Sequence, residues 1–406
     1  MQSFKYQARD PATGKKITSE VQADSIQSAS RLIKQQGLTV IDVTPSSESS
    51  NGILNRITNR ITTKDKVLFS RQLSTLINAG LPLVQSLRNV SSQTQNKALQ
   101  AIIGKIIVDI EAGSAFSVAL SKYPKVFNEV FVSLVAAGEV SGTLDKALER
   151  IANQQEKDAE IISKIRGAMV YPAIVIVVMI AVVGFMIVTV MPQVEKIYAD
   201  LPGANLPLIT KILLAVSNFT IKYWYIVLIV LALSIFFTTR WARTMGGKEA
   251  IDKAKMKLPV FGPLFMKVYM ARITRTGTTL VASGVPLIQM LEIVARAVDN
   301  VHIERSVRKA IDKVKGGKSL SDALRGDPNF LSLVPDMIHI GEESGSLEDM
   351  LAKTADYYEK EVDNQIKTIS TIIEPILMVL LGIVAFTIVA AVLLPVYGLV
   401  NQTNIV

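Results

Sequence analysis

Gly138-Glu139-Val140-Ser141-Gly142-Thr143-Leu144 returns later in the chain as Gly341-Glu342-Glu343-Ser344-Gly345-Ser346-Leu347. Upstream of it, Leu76-Ile77-Asn78-Ala79-Gly80-Leu81-Pro82-Leu83 returns as Leu280-Val281-Ala282-Ser283-Gly284-Val285-Pro286-Leu287. Gly80 and Gly284 stand 284 − 80 = 204 positions apart, as do Gly113 and Gly317, and Pro124 and Pro328. After one deletion the offset is 341 − 138 = 203, which also relates Pro172 to Pro375 and Pro192 to Pro395. A register held over such distances marks a duplicated module. Each copy closes on an uncharged apolar run opened by a proline, Pro172 or Pro375, so the module is a helical domain followed by a membrane span.

The chain has 406 residues, 49% hydrophobic and 19% charged, an apolar share above that of most soluble domains. The excess lies in three runs. Met169 to Met191 is uncharged and as helix reaches roughly 35 Å, enough to cross a bilayer core. Tyr223 to Thr239 is shorter and begins with Tyr223, Trp224 and Tyr225, residues suited to a membrane interface. Beyond Pro375 no charge remains, and Ile376 to Val396 is long enough to span.

Basic residues set the expected orientation. Arg240, Arg243, Lys248, Lys253, Lys255, Lys257 and Lys267 follow the second run, whereas only Lys196, Lys211 and Lys222 lie between the first and second. The N-terminus and both repeated domains are therefore expected in the cytoplasm and the C-terminus outside. Met1 to Gln7 has no apolar core, so no cleaved leader is expected there. The absence of cysteine excludes disulfides and thiolate chemistry. The net charge of +9 suits domains lying against anionic lipid, and no basic stripe interleaved with aromatics points to nucleic acid.

The first 45 residues differ from the rest. Phe4, Tyr6 and Ala8 alternate, Asp10 to Gly14 is a turn cluster, and Ile17 to Val21 alternates again, which predicts a hairpin. Asp24 could cap a helix ending near Gln36 before Gly37, with a third strand over Leu38 to Val43. The serine-rich stretch from Pro45 to Gly52 has the composition of a linker.

The predicted fold is mainly α and integral to a membrane: two repeated cytoplasmic six-helix bundles with three transmembrane helices, preceded by a small α/β module. The α/β module is expected over 1–45, the linker over 46–61 and the first bundle over 62–168. Transmembrane helices follow at 169–191, 223–239 and 373–396. An outer loop falls at 192–222, the cytoplasmic segment with the second bundle at 240–372, and an outer tail at 397–406.

Motifs that carry chemistry elsewhere have simpler readings here. Gly317-Lys318-Ser319 lacks the glycine five residues earlier and the preceding strand that a phosphate loop needs, and its first copy is Gly113-Ser114-Ala115. His302 and His339 are not repeated in the first copy, and no acid is expected to stand with either at metal-ligand spacing. No Gly-x-Ser-x-Gly elbow occurs. Nothing implies catalysis, a cofactor or a metal.

Within the repeated turn, Gly142 and Gly345 can supply a positive φ, while Leu144 and Leu347 begin the next helix. Glu139 and Glu342 are open to two readings, a partner contact or a buttress of the turn. Gly138 and Gly341 belong to the same motif, as Gly80, Pro82, Gly284 and Pro286 do to the earlier turn. Glu374-Pro375 opens the third span where the first copy has Tyr171-Pro172, a place where a carboxylate can remain among lipid headgroups or meet a partner. The first and third spans contain no other acidic or basic residue, which weakens a transporter or channel with duplicated halves.

The twin glycine-proline turns, the twin Gly-Glu-x-Ser-Gly-x-Leu motifs and Glu374-Pro375 resemble the inner-membrane platform proteins of type IV pili and type II secretion systems. Tyr6-Gln7-Ala8-Arg9-Asp10 and Gly14-Lys15 are similar to that family's opening. The resemblance covers the whole chain. It implies a non-enzymatic, homo-oligomeric scaffold in the inner membrane. The implied partners are a cytoplasmic hexameric assembly ATPase, with a retraction ATPase in machines that withdraw the fibre, pilins or pseudopilins, other inner-membrane assembly proteins and membrane lipids.

Overall fold

In each repeat a leading helix with apolar residues at three- and four-residue spacing lies along a much longer closing helix. The computed structural model describes residues 2–9, 16–23, 26–35, 37, 39–45, 60–199 and 208–403. The expected turn at Asp10–Gly14, the Asp24 cap and the linker beyond Pro45 lie outside the described residues, except for positions 60 and 61.

The N-terminal unit is an antiparallel sheet with one helix. Strands β1 (Gln2–Arg9), β2 (Lys16–Ala23) and β3 (Thr39–Pro45) pair in the order β2-β1-β3, with a register shift between Gln7 and Ala8. Helix α1 (Ile26–Gln35) buries Ile33 completely. Pro45, expected in the linker, ends β3.

The first repeat comprises α2 (Thr63–Asn78), α3 (Leu83–Gln93), α4 (Lys97–Glu111), α5 (Phe116–Ser121), α6 (Glu129–Ser141) and α7 (Leu144–Phe185). Phe69 and Leu73 of α2 are buried with Phe127, Phe131, Leu148 and Ile151. Ring centroids of Phe69 and Phe127 lie 5.5 Å apart, and those of Phe127 and Phe131 5.1 Å. Each such pair adds about 1 kcal/mol to simple area burial.

A π-helical turn (Met186–Val190) continues α7 into α8 (Met191–Ala199). Within that turn the residue at 192 would donate its N–H to the Ile187 carbonyl, and proline has none to give. Ser217 supplies the missing donor, its Oγ lying 2.5 Å from Ile187 O.

The segment predicted as an outer loop holds α8 and α9 (Leu208–Lys222) among its described residues. Met186, Met191, Val194, Leu214 and Ala391 form a buried cluster there. Glu195, Lys196 and Lys211 interrupt the uncharged run without interrupting the helical period, so the sequence looked like a loop.

Helix α10 (Trp224–Trp241) buries none of its residues. A basic helix, α11 (Met245–Lys257), leads into the second repeat. That repeat comprises α12 (Phe261–Ala282), α13 (Leu287–Ala297), α14 (Val301–Lys315), α15 (Leu320–Leu324), α16 (Leu333–Ser344) and α17 (Leu347–Thr403). Among the described residues, three helical stretches are long and apolar enough to cross a membrane: Leu144–Lys196, Trp224–Trp241 and Leu347–Leu393. Where α7, α12 and α17 converge ahead of the apolar stretches, Leu264, Val362, Ile366 and Ile369 pack with Ile161 and Ile165.

Candidate functional site

The repeated turn is built alike in both copies. Gly142 ends α6 with φ 69° and Gly345 ends α16 with φ 68°, left-handed values that a Cβ disfavours. The Thr143 N–H then reaches back to Gly138 O at 2.9 Å. Gly138 is needed for a different reason. A Cβ there would come within 2.7 Å of the Ala147 Cβ, and one at Gly341 within 2.9 Å of the Leu347 Cα. The first glycine thus lets the closing helix leave the turn in contact with the helix before it, and Leu144 and Leu347 open those closing helices.

The two glutamates cap another helix of their own repeat. The Glu139 carboxylate accepts the Phe116 N–H at 2.6 Å and the Ser117 N–H at 2.9 Å, at the start of α5. Glu342 accepts the Leu320 N–H at 2.6 Å, the Ser321 N–H at 3.2 Å and the Ser321 hydroxyl at 2.6 Å, at the start of α15. A carboxylate on free N–H groups at the positive end of a helix is doubly favoured.

Gly80 and Gly284 also take positive φ, and Pro82 and Pro286 precede α3 and α13 with φ near −55°. Glu374 and Pro375 lie exposed within α17, whereas Pro172 in α7 is buried beside an exposed Tyr171. Each proline removes one intrahelical bond, at the Ala168 carbonyl in α7 and the Thr371 carbonyl in α17.

Gly317-Lys318-Ser319 is a helix end followed by a cap: the Ser319 hydroxyl accepts the Asp322 N–H. His302 Nε2 lies 3.1 Å from Glu249 O. The expectation that no acid accompanies either histidine fails at His339, whose Nε2 is 3.4 Å from Glu343 one helical turn on. That pair stands alone, since among the described residues no group of three or more His, Cys, Asp and Glu could hold a metal.

Sequence reasoning missed a repeated ion pair. Arg71 Nε donates to Glu156 Oε1 at 2.6 Å, and its Nη2 to Asn153 Oδ1 at 2.6 Å. At the equivalent positions Arg275 Nε donates to Glu359 Oε1 at 2.7 Å, and Nη2 bonds Asp356. These residues tie the leading helix of each repeat to its closing helix. The signal was present, because Arg71 and Arg275 keep the offset of 204 and Glu156 and Glu359 that of 203.

Between the repeats lies a cleft of about 450 Å³ lined by both signs of charge, including Arg150, Glu156, Lys157, Arg275, Glu348 and Asp356. Arg150 spans the junction, donating to Ala282 O at 2.7 Å and Ser283 Oγ at 3.0 Å. Gln154 Nε2 donates to Thr276 Oγ1 at 2.7 Å, leaving its own Oε1 buried without a partner. Glu129 meets Arg296 through both carboxylate oxygens. Half-buried Asp158 lies among Ile161, Ile162, Ile165 and Val268, and desolvation holds its pKa above the ordinary value despite nearby Arg272.

Two copies of one helical domain, each drawn out into a long apolar helix and joined by a polar seam, define a polytopic membrane protein of tandem repeats. The chain belongs to the type II secretion system protein F family, whose description matches residues 69–192 and 273–395, with that family's N-terminal domain matching 1–44. It is 38% identical over 414 residues to the type IV pilus assembly protein PilC of Thermus thermophilus, with 100% of each chain covered. It is 36% identical to the type IV pilus assembly protein TapC of Aeromonas hydrophila, covering 95% of this chain and 93% of that one. Against the type II secretion system protein F of Pseudomonas aeruginosa it is 33% identical, covering 99% of each.

Proposed function

We propose that this chain is the inner-membrane platform of a type IV pilus assembly machine, coupling a cytoplasmic hexameric ATPase to the insertion or removal of pilin subunits. It acts as a homo-oligomeric scaffold without a catalytic centre, with its N-terminus and both repeats in the cytoplasm and its C-terminus outside. The observation that carries the proposal is helical continuity. One helical path runs from Leu144 to Lys196 and another from Leu347 to Leu393, so a displacement of either bundle reaches its apolar stretch without a flexible joint.

The higher identity to relatives named for pilus assembly favours a pilus over a secretion system. The equivalent role in type II secretion, with pseudopilins as cargo, is the second reading. Exposed Glu374, at the start of the third apolar stretch, is the residue we assign to a membrane-embedded partner.

Four glycines inserted after Lys164 test the coupling. Loss of piliation, with folding and ATPase co-purification retained, is expected. Normal piliation would overturn the proposal.

A further inference from the structure

The two repeats meet through different faces. Repeat 1 uses α6 and α7, which present Glu129, Arg150 and Gln154. Repeat 2 uses α12 and α13, which present Thr276, Ala282, Ser283 and Arg296. The closing helices run parallel, since Lys157 lies 4.0 Å from Glu359 and Lys164 lies 2.6 Å from Asp363 further along both. The arrangement is heterologous. A two-fold relation would also seat α16 and α17 on α2 and α3, and no packing comparable to that of α6 on α13 joins α3 to α16.

Each face used at the seam therefore has an unused copy. Gln154 is 9% exposed inside the seam, whereas Tyr357 at the equivalent position is 49% exposed. Thr279 is buried there, while its equivalent Thr75 is exposed. Leu68 on α2 and Ile340 on α16 are exposed apolar residues, at 51% and 49%. The cation is retained as well. Lys353 stands where Arg150 does, is exposed, and makes no hydrogen bond or ion pair with a described residue. The helix end equivalent to Ala282 and Ser283 is Asn78 and Ala79, also exposed.

We propose that these open faces bind each other between copies of this chain. α16 and α17 of one copy seat on α2 and α3 of the next, with Tyr357 against Gln72, the equivalents of Gln154 and Thr276, and Lys353 at the carbonyl end of α2 at Asn78. A cation there completes carbonyls that the helix leaves unpaired. The contact between copies repeats the head-to-tail step already made within the chain, so the parallel closing helices stay parallel from copy to copy. Ser92 replaces Arg296, so the Glu129–Arg296 pair has no counterpart and the new contact is the weaker one. The inference rests on the oligomeric reading above and specifies its surface.

The chain contains no cysteine, which makes the test direct. Full-length chains carrying Gln72→Cys and Tyr357→Cys, differently tagged, are co-expressed and oxidised in native membranes. Asn78→Cys with Lys353→Cys serves as a second pair. A mixed disulfide dimer is expected in both experiments, with neither variant linking to itself, and a chain carrying both cysteines of a pair should give a ladder or closed ring. Self-linking of either single variant, or closure within one doubly substituted chain, overturns the proposal. Absence of mixed dimers while the native mass remains oligomeric overturns this interface alone, and a monomeric mass overturns the oligomeric reading with it.

Discussion

Glu139 and Phe116 lie 23 positions apart, and the Glu139 carboxylate accepts the Phe116 backbone N–H at 2.6 Å. The turn motif of each repeat is thereby fastened to the start of that repeat's shortest helix. Glu139→Ala and Glu342→Ala should each destabilise the chain by about 1–2 kcal/mol, the usual cost of losing an N-terminal cap. Glu→Gln should cost less, because one acceptor survives. Thermal unfolding in detergent checks the order, and an unchanged midpoint in the alanine variants would refute the capping role.

The two glycines of the turn should respond differently to alanine. Gly142→Ala forces a Cβ into left-handed backbone and should cost about 1–2 kcal/mol. Gly138→Ala places a Cβ 2.7 Å from that of Ala147 and should cost at least as much, about 1–3 kcal/mol, because helix α7 must move. A shifted pattern of hydrogen exchange over α7, specific to Gly138→Ala, would distinguish the two mechanisms.

The repeated ion pair is unequally exposed. Arg275 and Glu359 retain 22% and 14% of their side-chain surface, Arg71 and Glu156 36% and 41%. Arg275→Ala leaves a carboxylate nearly buried and should cost about 3 kcal/mol, whereas Arg71→Ala should cost about 1 kcal/mol or less. Raising salt to 1 M should weaken the wild-type Arg71 pair more than the Arg275 pair. Equal losses in the two variants would contradict this ordering.

Asp158 titrates above its ordinary value of 3.8 because desolvation penalises its charged form. The folded chain therefore holds this proton more tightly than the unfolded chain. The stability it contributes is complete below the unfolded pKa and is lost as pH rises through the folded one. Asp158→Asn should raise the melting temperature at pH 7–8, with the difference fading toward pH 4. A lower melting temperature at pH 7 would mean that attraction to Arg272 outweighs desolvation.

Much of this architecture was legible because it is written locally. Helical period from Phe69 to Ile77, the uncharged length from Met169 to Met191 and the doubled Gly-Glu-x-Ser-Gly-x-Leu need no knowledge of distant neighbours. The roles of Glu139 and Glu342 are not written locally, because their partners lie some twenty residues upstream, across a chain reversal. Arg71 and Arg275 escaped notice because an isolated charge on an amphipathic helix reads as a solvated one. The segment from 192 to 222 read as a loop because only the packing of Val194 and Leu214 against Ala391 reveals which of its residues are covered.

The sequence by itself determined that one helical module occurs twice and that each copy continues into an apolar stretch, since period, length and internal register are properties of neighbouring residues. Only the tertiary structure decided which face each copy presents to the other. Two copies of one module carry equivalent candidate surfaces, and burial is a non-local quantity. It covers Gln154 and leaves Tyr357, its equivalent, half exposed.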